Sequence, residues 1–379
     1  MYKSIDFQYN PSIIICEFEN CLISRITAGK LYHAINPKTI TPHNEEFVKR
    51  LKNDTQDASL VIISNQLVAN KLNMDMIKRK LEGFIEIYKF PLLALFAMRP
   101  NRLSKPHTGM WQLLQSYYKS IGGTIIQKAC VVSNYGGRIV EEASIRGVVK
   151  TSYDISDMDR AFAENIGVPY FTITEYMYPE KKEKFIWNKG NLPPEIRELY
   201  IEKLSEYKNP NIFAKMAEFG QVEAYMIMIF GAPRSGKTTL AREIIKKWRN
   251  SEFGKQNEIK RVGKDRFTRA RMCKEIDKLL GSRISVIVDG DCHTVALRQP
   301  YLEIAKKYSI PVTYIEVNPG IGMAYLFNHV AVEQAKTEDI ELYSERDYLI
   351  YKGTLQQPAE TILYCPYIKK SKELMEYRF

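Results

Sequence analysis

Residues 226–242, MIMIFGAPRSGKTTLAR, are the stretch on which the reading of this chain turns. Met226 to Ile229 are apolar and predict a short buried strand, and Thr239 to Trp248 predict a helix. Between them Gly231 to Thr238 spells G-x-x-x-x-G-K-[ST], in the strand–loop–helix setting that a P-loop requires. Gly231 and Gly236 permit backbone angles at which successive N–H groups point inward at phosphate oxygens. The expected nucleotide-binding residues are Gly231, Ala232, Pro233, Arg234, Ser235, Gly236, Lys237, Thr238 and Thr239. Lys237 would neutralise the β- and γ-phosphates and the Thr238 hydroxyl would ligate Mg²⁺, so ATP and Mg²⁺ are the expected cofactors. The bland alternative is a glycine-containing turn before a helix, which the complete motif in its proper setting outweighs.

The chain has 379 residues, enough for two or three domains, and its 45% hydrophobic content argues against general disorder. Its formal charge is +11, unevenly spread: residues 242–283 hold fourteen Lys/Arg against six Asp/Glu. A basic stretch beside a phosphate site favours a polyanionic partner, nucleic acid before others, over a merely solvated helix face. Six cysteines, at 16, 21, 130, 273, 292 and 365, form no C-x-x-C pair, so no zinc or redox motif is legible and a reduced, intracellular chain is expected. No apolar run reaches the roughly 18 residues of a membrane span, and the N-terminus has no signal-peptide pattern. Cytoplasm is the default address, with the nucleus as alternative.

The runs SIIIC (12–16), LVII (60–63) and Cys130 to Val132 each predict a buried parallel strand, with helical patterns between them. Trp111, Leu114, Tyr118 and Ile121 would share one face of a helix over 108–121. The alternation predicts an α/β fold, in which ligands sit beyond the carboxyl ends of the strands. Glu17, Glu19, Ser64 and Asn134, just past those ends, become candidates. Charged and Pro-rich sequence from Pro179 predicts a boundary: a first domain over 1–178, a linker over 179–222 and a second domain over 223–379. In the second, strands are expected near 226–230, 284–288 and 312–317, and helices near 237–249, 266–280 and 296–308. The tail from Tyr343 reads as packing around that core.

Glu17-Phe18-Glu19, Ser64-Asn65-Gln66, the run KPHTGMW at 105–111 and the run SDMDRAFAEN at 156–165 occur in an order that resembles the 3′-phosphatase domain of bifunctional polynucleotide kinase/phosphatases. The resemblance covers about 10–178 and implies a haloacid-dehalogenase-like parallel-sheet domain. Glu17 and Glu19 stand where that family carries its catalytic aspartates, and Asn134 stands where it carries a metal-binding one. A carboxylate one methylene too long sits over 1 Å from its attack position, and about 1 Å can cost on the order of 10²-fold in rate. A neutral Asn also removes charge that would hold Mg²⁺. The expectation is a decayed phosphatase that keeps Ser64 and Lys105 in phosphate-contacting positions.

The second half resembles the 5′-kinase domain of the same family, which implies a P-loop parallel-sheet fold. Val262-Gly263-Lys264-Asp265 looks like its V-N-R-D element, making Asp265 the base that activates a 5′-hydroxyl; the alternative is a helix N-cap. Asp289, ending a predicted strand, would lie by the Mg²⁺ with Thr238. The stretch 295–301 resembles the family's A-S-R-A-R-Y and makes Arg298 a nucleotide contact. The lid arginines are absent: Tyr325, His329 and Ala331 stand there, while Asn328 is kept. Arg234, inside the loop, is the best substitute, and with Lys237 and Asp265 completes the expected catalytic set. The expected function is ATP-dependent phosphorylation of nucleic-acid 5′-hydroxyl ends, DNA or RNA, without membrane association. A non-catalytic nucleic-acid- or nucleotide-binding protein, and an NTPase or small-molecule kinase, are the alternatives.

Overall fold

A computed structural model describes residues 1–24, 42–67, 71–145, 148–154, 156–187, 222–337, 340, 342–359 and 361–364. Within these the chain forms two compact units, residues 1–187 with 329–342, and residues 222–328 with those from 343 onward. Most of the expected linker, residues 188–221, and the end of the tail with Cys365 lie outside the described residues.

The first unit is built on a six-stranded sheet. Its strands are β1 (Tyr2–Lys3), β2 (Ser12–Cys16), β3 (Ser59–Asn65), β4 (Leu92–Ala97), β5 (Lys128–Val132) and, after a hairpin of β6 (Ile139–Ile145) and β7 (Val148–Tyr153), β8 (Tyr170–Phe171). The order is β1-β4-β3-β2-β5-β8, with only β1 antiparallel. Strands covered on both faces must be apolar throughout, as Leu60 to Ile63 are. Ile14, Cys16, Leu60 and Ile62 face one core with Phe47 and Phe84, from helices Glu45–Asp54 and Lys71–Tyr88. Ile13, Ile15, Val61 and Ile63 face another with Met110, Leu114 and Phe162, from helices Gly109–Tyr117 and Met158–Asn165. The three expected strands are β2, β3 and β5; β4 was not foreseen. The helix expected over 108–121 continues past Tyr117 as a π turn, Tyr118–Gly122. That wider turn rotates Ile121 off the face shared by Leu114 and Tyr118, and it lies 62% exposed.

The second unit carries a wholly parallel sheet of order β10-β11-β9-β12-β13: β9 (Met226–Phe230), β10 (Ile259–Gly263), β11 (Ser285–Asp289), β12 (Val312–Val317) and β13 (Thr361–Tyr364). β9 and β11 are buried along their whole length. One face packs on helices Arg269–Gly281 and Val295–Lys307, the other on Lys237–Arg249. The expected helices near 266–280 and 296–308 are these, displaced by one to three residues at their ends. The edge strand β10 is not among the expected strands, because its sequence, IKRVG, interrupts the apolar run with two cations. Part of the tail contributes β13. Among the described residues no helix is long and apolar enough to cross a membrane.

Trp248 ends the P-loop helix with its ring buried and its Nε1 donating to the Asn257 carbonyl at 2.7 Å. Trp248→Ala is expected to cost about 3–5 kcal/mol of stability, measurable by urea unfolding. A loss below about 1 kcal/mol would mean the ring does not anchor this face.

Candidate functional sites

In the second unit the parallel register sets Gly263 beside Asp289, and Asp289 beside Ile229. Three strand ends thus deliver the P-loop, the turn after β10 and Asp289 to one edge of the sheet. Gly236 adopts φ 102°, a left-handed conformation that turns the loop into the helix Lys237–Arg249. The N–H groups of that helix's first turn face the loop, as anion binding requires. Lys237 Nζ donates to the carbonyls of Gly231 at 2.9 Å and Ala232 at 2.7 Å. Burial lowers its pKa to about 8, against the opposing pull of Asp289.

Thr238 Oγ1 donates to Asp289 Oδ2 at 2.8 Å, so the two expected Mg²⁺-side residues meet. A hydroxyl and a carboxylate suit a hard dication that takes its remaining ligands from phosphate and water. On the same Asp289 oxygen Arg261 Nε closes to 2.7 Å. The Arg261 fork continues to Asp265, Nη1 to Oδ2 at 3.2 Å and Nη2 to Oδ1 at 2.7 Å, with Nη2 3.4 Å from Thr238 Oγ1. Hydrogen bonding from Arg261, more than its charge alone, holds the Asp265 carboxyl below the usual range. Thr268 occupies the N-cap of the helix Arg269–Gly281, so Asp265 is not that cap.

Arg234 stands in the loop at φ 58°, its guanidinium 5.5 Å from the Tyr343 ring centre. Its Nε is buried and has no hydrogen-bond partner among the described residues. Asn328, buried in the helix Ile321–Glu333, grips the Tyr343 backbone: Nδ2 donates to its carbonyl at 2.9 Å and Oδ1 accepts its N–H at 3.2 Å. Arg298 is buried and donates to the Cys292 carbonyl at 2.8 Å. The only sequence signal for Arg261 is a cation two residues before the end of β10, whose following turn carries the candidate base.

In the first unit Cys16 pairs with Ile62 and Val132, which brings Glu17, Ser64 and Ser133 to the same sheet edge. All three are buried, as are Lys105 and Asp159. Lys105 Nζ contacts the Glu17 carboxylate, lies 2.5 Å from Asp159 Oδ1 and donates to the Ile63 carbonyl at 2.8 Å. Ser133 donates to Asp159. Glu17 Oε1 also accepts the N–H of Phe18 at 2.8 Å, and the Ser64 hydroxyl bonds the same carboxylate. Burial pushes the Glu17 carboxyl up to about 7; Lys105 opposes this and the negative Asp159 adds to it. Burial alone would pull the Lys105 ammonium down, but its two carboxylates outweigh that and hold it above its ordinary value.

Glu19 does not join this group: its carboxylate pairs with Lys80 of the helix Lys71–Tyr88. Asn134 Nδ2 donates to the Asn20 carbonyl at 2.9 Å and pairs with His43 Nε2 at 2.8 Å. Asn134 Oδ1 is buried and has no hydrogen-bond partner among the described residues. Among the described residues no three His, Cys, Asp or Glu side chains converge to hold a metal. Of the three residues singled out for this site, Glu17 is engaged by Lys105 and Glu19 by Lys80, which leaves the neutral Asn134 oxygen, a poor match for Mg²⁺ by itself.

Residues 12–177 match the family of polynucleotide kinase 3 phosphatases, and residues 225–348 match the family described as chromatin associated protein KTI12. Across both units the chain is similar to bifunctional polynucleotide phosphatase/kinases. It is 25% identical over 321 residues to a bifunctional polynucleotide phosphatase/kinase of Schizosaccharomyces pombe, covering 82% of this chain and 68% of that one. To a putative bifunctional polynucleotide phosphatase/kinase of Acanthamoeba polyphaga mimivirus it is 27% identical over 215 residues, 54% of this chain and 47% of the relative. The crystal structure of Chaetomium thermophilum Kti12 with ADP-AlF3 is 18% identical over 40% of this chain and 93% of that one, at a TM-score of 0.32. At that score the likeness carries no argument, and the fold rests on the strand orders above.

The buried Glu17 carboxyl has a consequence for stability. Unfolded, it releases its proton near 4.5; folded, it holds it to about 7. Its contribution is therefore full below pH 4.5 and lost as pH rises through 7. In metal-free buffer Glu17→Gln, which cannot ionise, is expected to gain on the wild type across that window. Urea midpoints that stay parallel from pH 4 to above 7 would contradict it.

Proposed function

We propose that this chain is an ATP-dependent polynucleotide 5′-hydroxyl kinase whose first unit has lost 3′-phosphatase activity. The single observation that carries the kinase reading is the continuous contact from Thr238 through Asp289 and Arg261 to Asp265. It joins Thr238, Asp289 and Asp265 at one strand edge, which supports reading them as the nucleotide-side hydroxyl, the metal-side carboxylate and the base. Thr238 and Asp289 would hold Mg²⁺, which when bound neutralises charge on the β- and γ-phosphates. Lys237 exchanges the carbonyls of Gly231 and Ala232 for phosphate oxygens. Asp265 accepts the proton of the 5′-hydroxyl as its oxygen bonds the γ-phosphorus and the bond to the ADP oxygen breaks. Arg234, its Nε unengaged, is the loop cation for the transferring phosphoryl group. Lys264, Arg266, Arg269 and Arg271, exposed around Asp265, favour a polyanionic acceptor over a small alcohol or water.

Loss of phosphatase activity is supported by where the Glu17 carboxylate goes. It takes up the Phe18 N–H, the Ser64 hydroxyl and Lys105, the donors an incoming phosphate monoester would need. Asn134 offers no charge in return.

Labelled γ-phosphate from ATP is expected to reach 5′-hydroxyl oligonucleotides, and Lys237→Ala and Asp265→Ala are each expected to lower that transfer by about 10²-fold or more. Phosphate release without transfer would point to an NTPase, and nucleotide or strand binding with neither reaction to a non-catalytic binder. Release of 3′-phosphate that disappears in Glu17→Ala would overturn the loss of phosphatase activity.

A further inference from the structure

We propose that Arg261 is a positioning residue of the acceptor side, fixing the Asp265 carboxylate relative to the Thr238–Asp289 pair, with Gly263 making the room it needs. The proposal rests on the kinase reading and adds a residue which that reaction does not itself use. Asp265 lies in a turn with its side chain 49% exposed, whereas the Arg261 side chain is only 9% exposed. A half-exposed carboxylate on a turn samples several rotamers, and a planar guanidinium donating to both its oxygens selects one. The same guanidinium is anchored on buried Asp289 through Nε. If Arg261 only neutralised Asp289, that one bond would serve; instead its two remaining nitrogens are spent on Asp265.

Gly263 supplies the second observation. A Cβ there would lie 2.5 Å from Asp265 Oδ1, 2.6 Å from Arg261 Nη2 and 2.8 Å from its Cζ. Any side chain at 263 would have to push aside the ends of these two side chains, so their present contact runs over bare backbone. An Asn at 263, as in the V-N-R-D element that this turn resembles, would displace either the guanidinium or the carboxylate. Arg261 and Gly263 therefore form one device. Lys264, next in sequence, pairs instead with Asp291.

The test compares wild type with Arg261→Ala, Arg261→Lys, Gly263→Asn and the Arg261→Ala/Gly263→Asn double variant. Transfer of labelled phosphate from ATP to a 5′-hydroxyl oligonucleotide is measured alongside binding of a fluorescent ATP analogue and thermal midpoints. Arg261→Ala is expected to lower kcat about 10²-fold while both KM values and the analogue's affinity stay within about threefold. Arg261→Lys, lacking the fork, recovers little, whereas added guanidinium ion restores part of the Arg261→Ala rate and none of an Asp265→Ala rate. Gly263→Asn loses as much, and the double variant loses no more than either single one. Unchanged kcat in Arg261→Ala, parallel loss of nucleotide affinity and thermal stability, or a fully active Gly263→Asn would each overturn the positioning role. A wild type that transfers nothing would refute the kinase reading and the role with it; a transferring wild type with an unaffected Arg261→Ala refutes the role alone.

Discussion

A charge taken out of water must be paired, and in both units that requirement falls on the carboxyl ends of parallel strands. β2, β3, β9 and β11 are covered on both faces, so their interiors admit only apolar side chains and polar chemistry is confined to their ends. At one edge Asp289 is met by Thr238 and Arg261; at the other Lys105 is met by Glu17 and Asp159. The folds place these groups within reach of one another, and the pairing decides what each remains free to do.

The two edges resolve that constraint differently. Lys237 leans on two neutral carbonyls, whose hold is weak beside that of phosphate oxygens, so the proposed exchange is easy. Lys105 is locked between two carboxylates, and the longer Glu17 side chain folds onto its own loop. In the proposed loss of phosphatase activity, one methylene would turn a carboxylate that could attack into one that fills the anion's place. The proposed transfer then falls to the second unit, where Arg261 stands between Asp289 and Asp265.

Much of this was legible in the sequence because the signals are local. The P-loop is one contiguous motif with its strand and helix attached; Thr238 donates to Asp289 and Lys237 folds over the loop carbonyls. The runs at 12–16, 60–63 and 130–132 became strands because uninterrupted apolar residues suit a doubly covered sheet. What escaped depends on partners distant in sequence. Arg261 looked like one more cation in a basic stretch, and only the register of β10 on β11 brings it to Asp289. Glu17 and Glu19 looked like a pair, but residues two apart past a strand end diverge, and Lys80, in an ordinary helix, claims the second. Ile121 was misplaced because helical spacing assumes an unbroken α period, which the π turn after Tyr117 violates.

The central claim is that phosphate is gained at a 5′ end here and not removed at a 3′ end. One oligonucleotide carrying both a 5′-hydroxyl and a 3′-phosphate, incubated with the wild-type chain, ATP and Mg²⁺ and then weighed by mass spectrometry, tests both halves together. The predicted product is heavier by one phosphate and still bears its 3′-phosphate. A product lighter by one phosphate, or unchanged in mass because one end gained what the other lost, would contradict it.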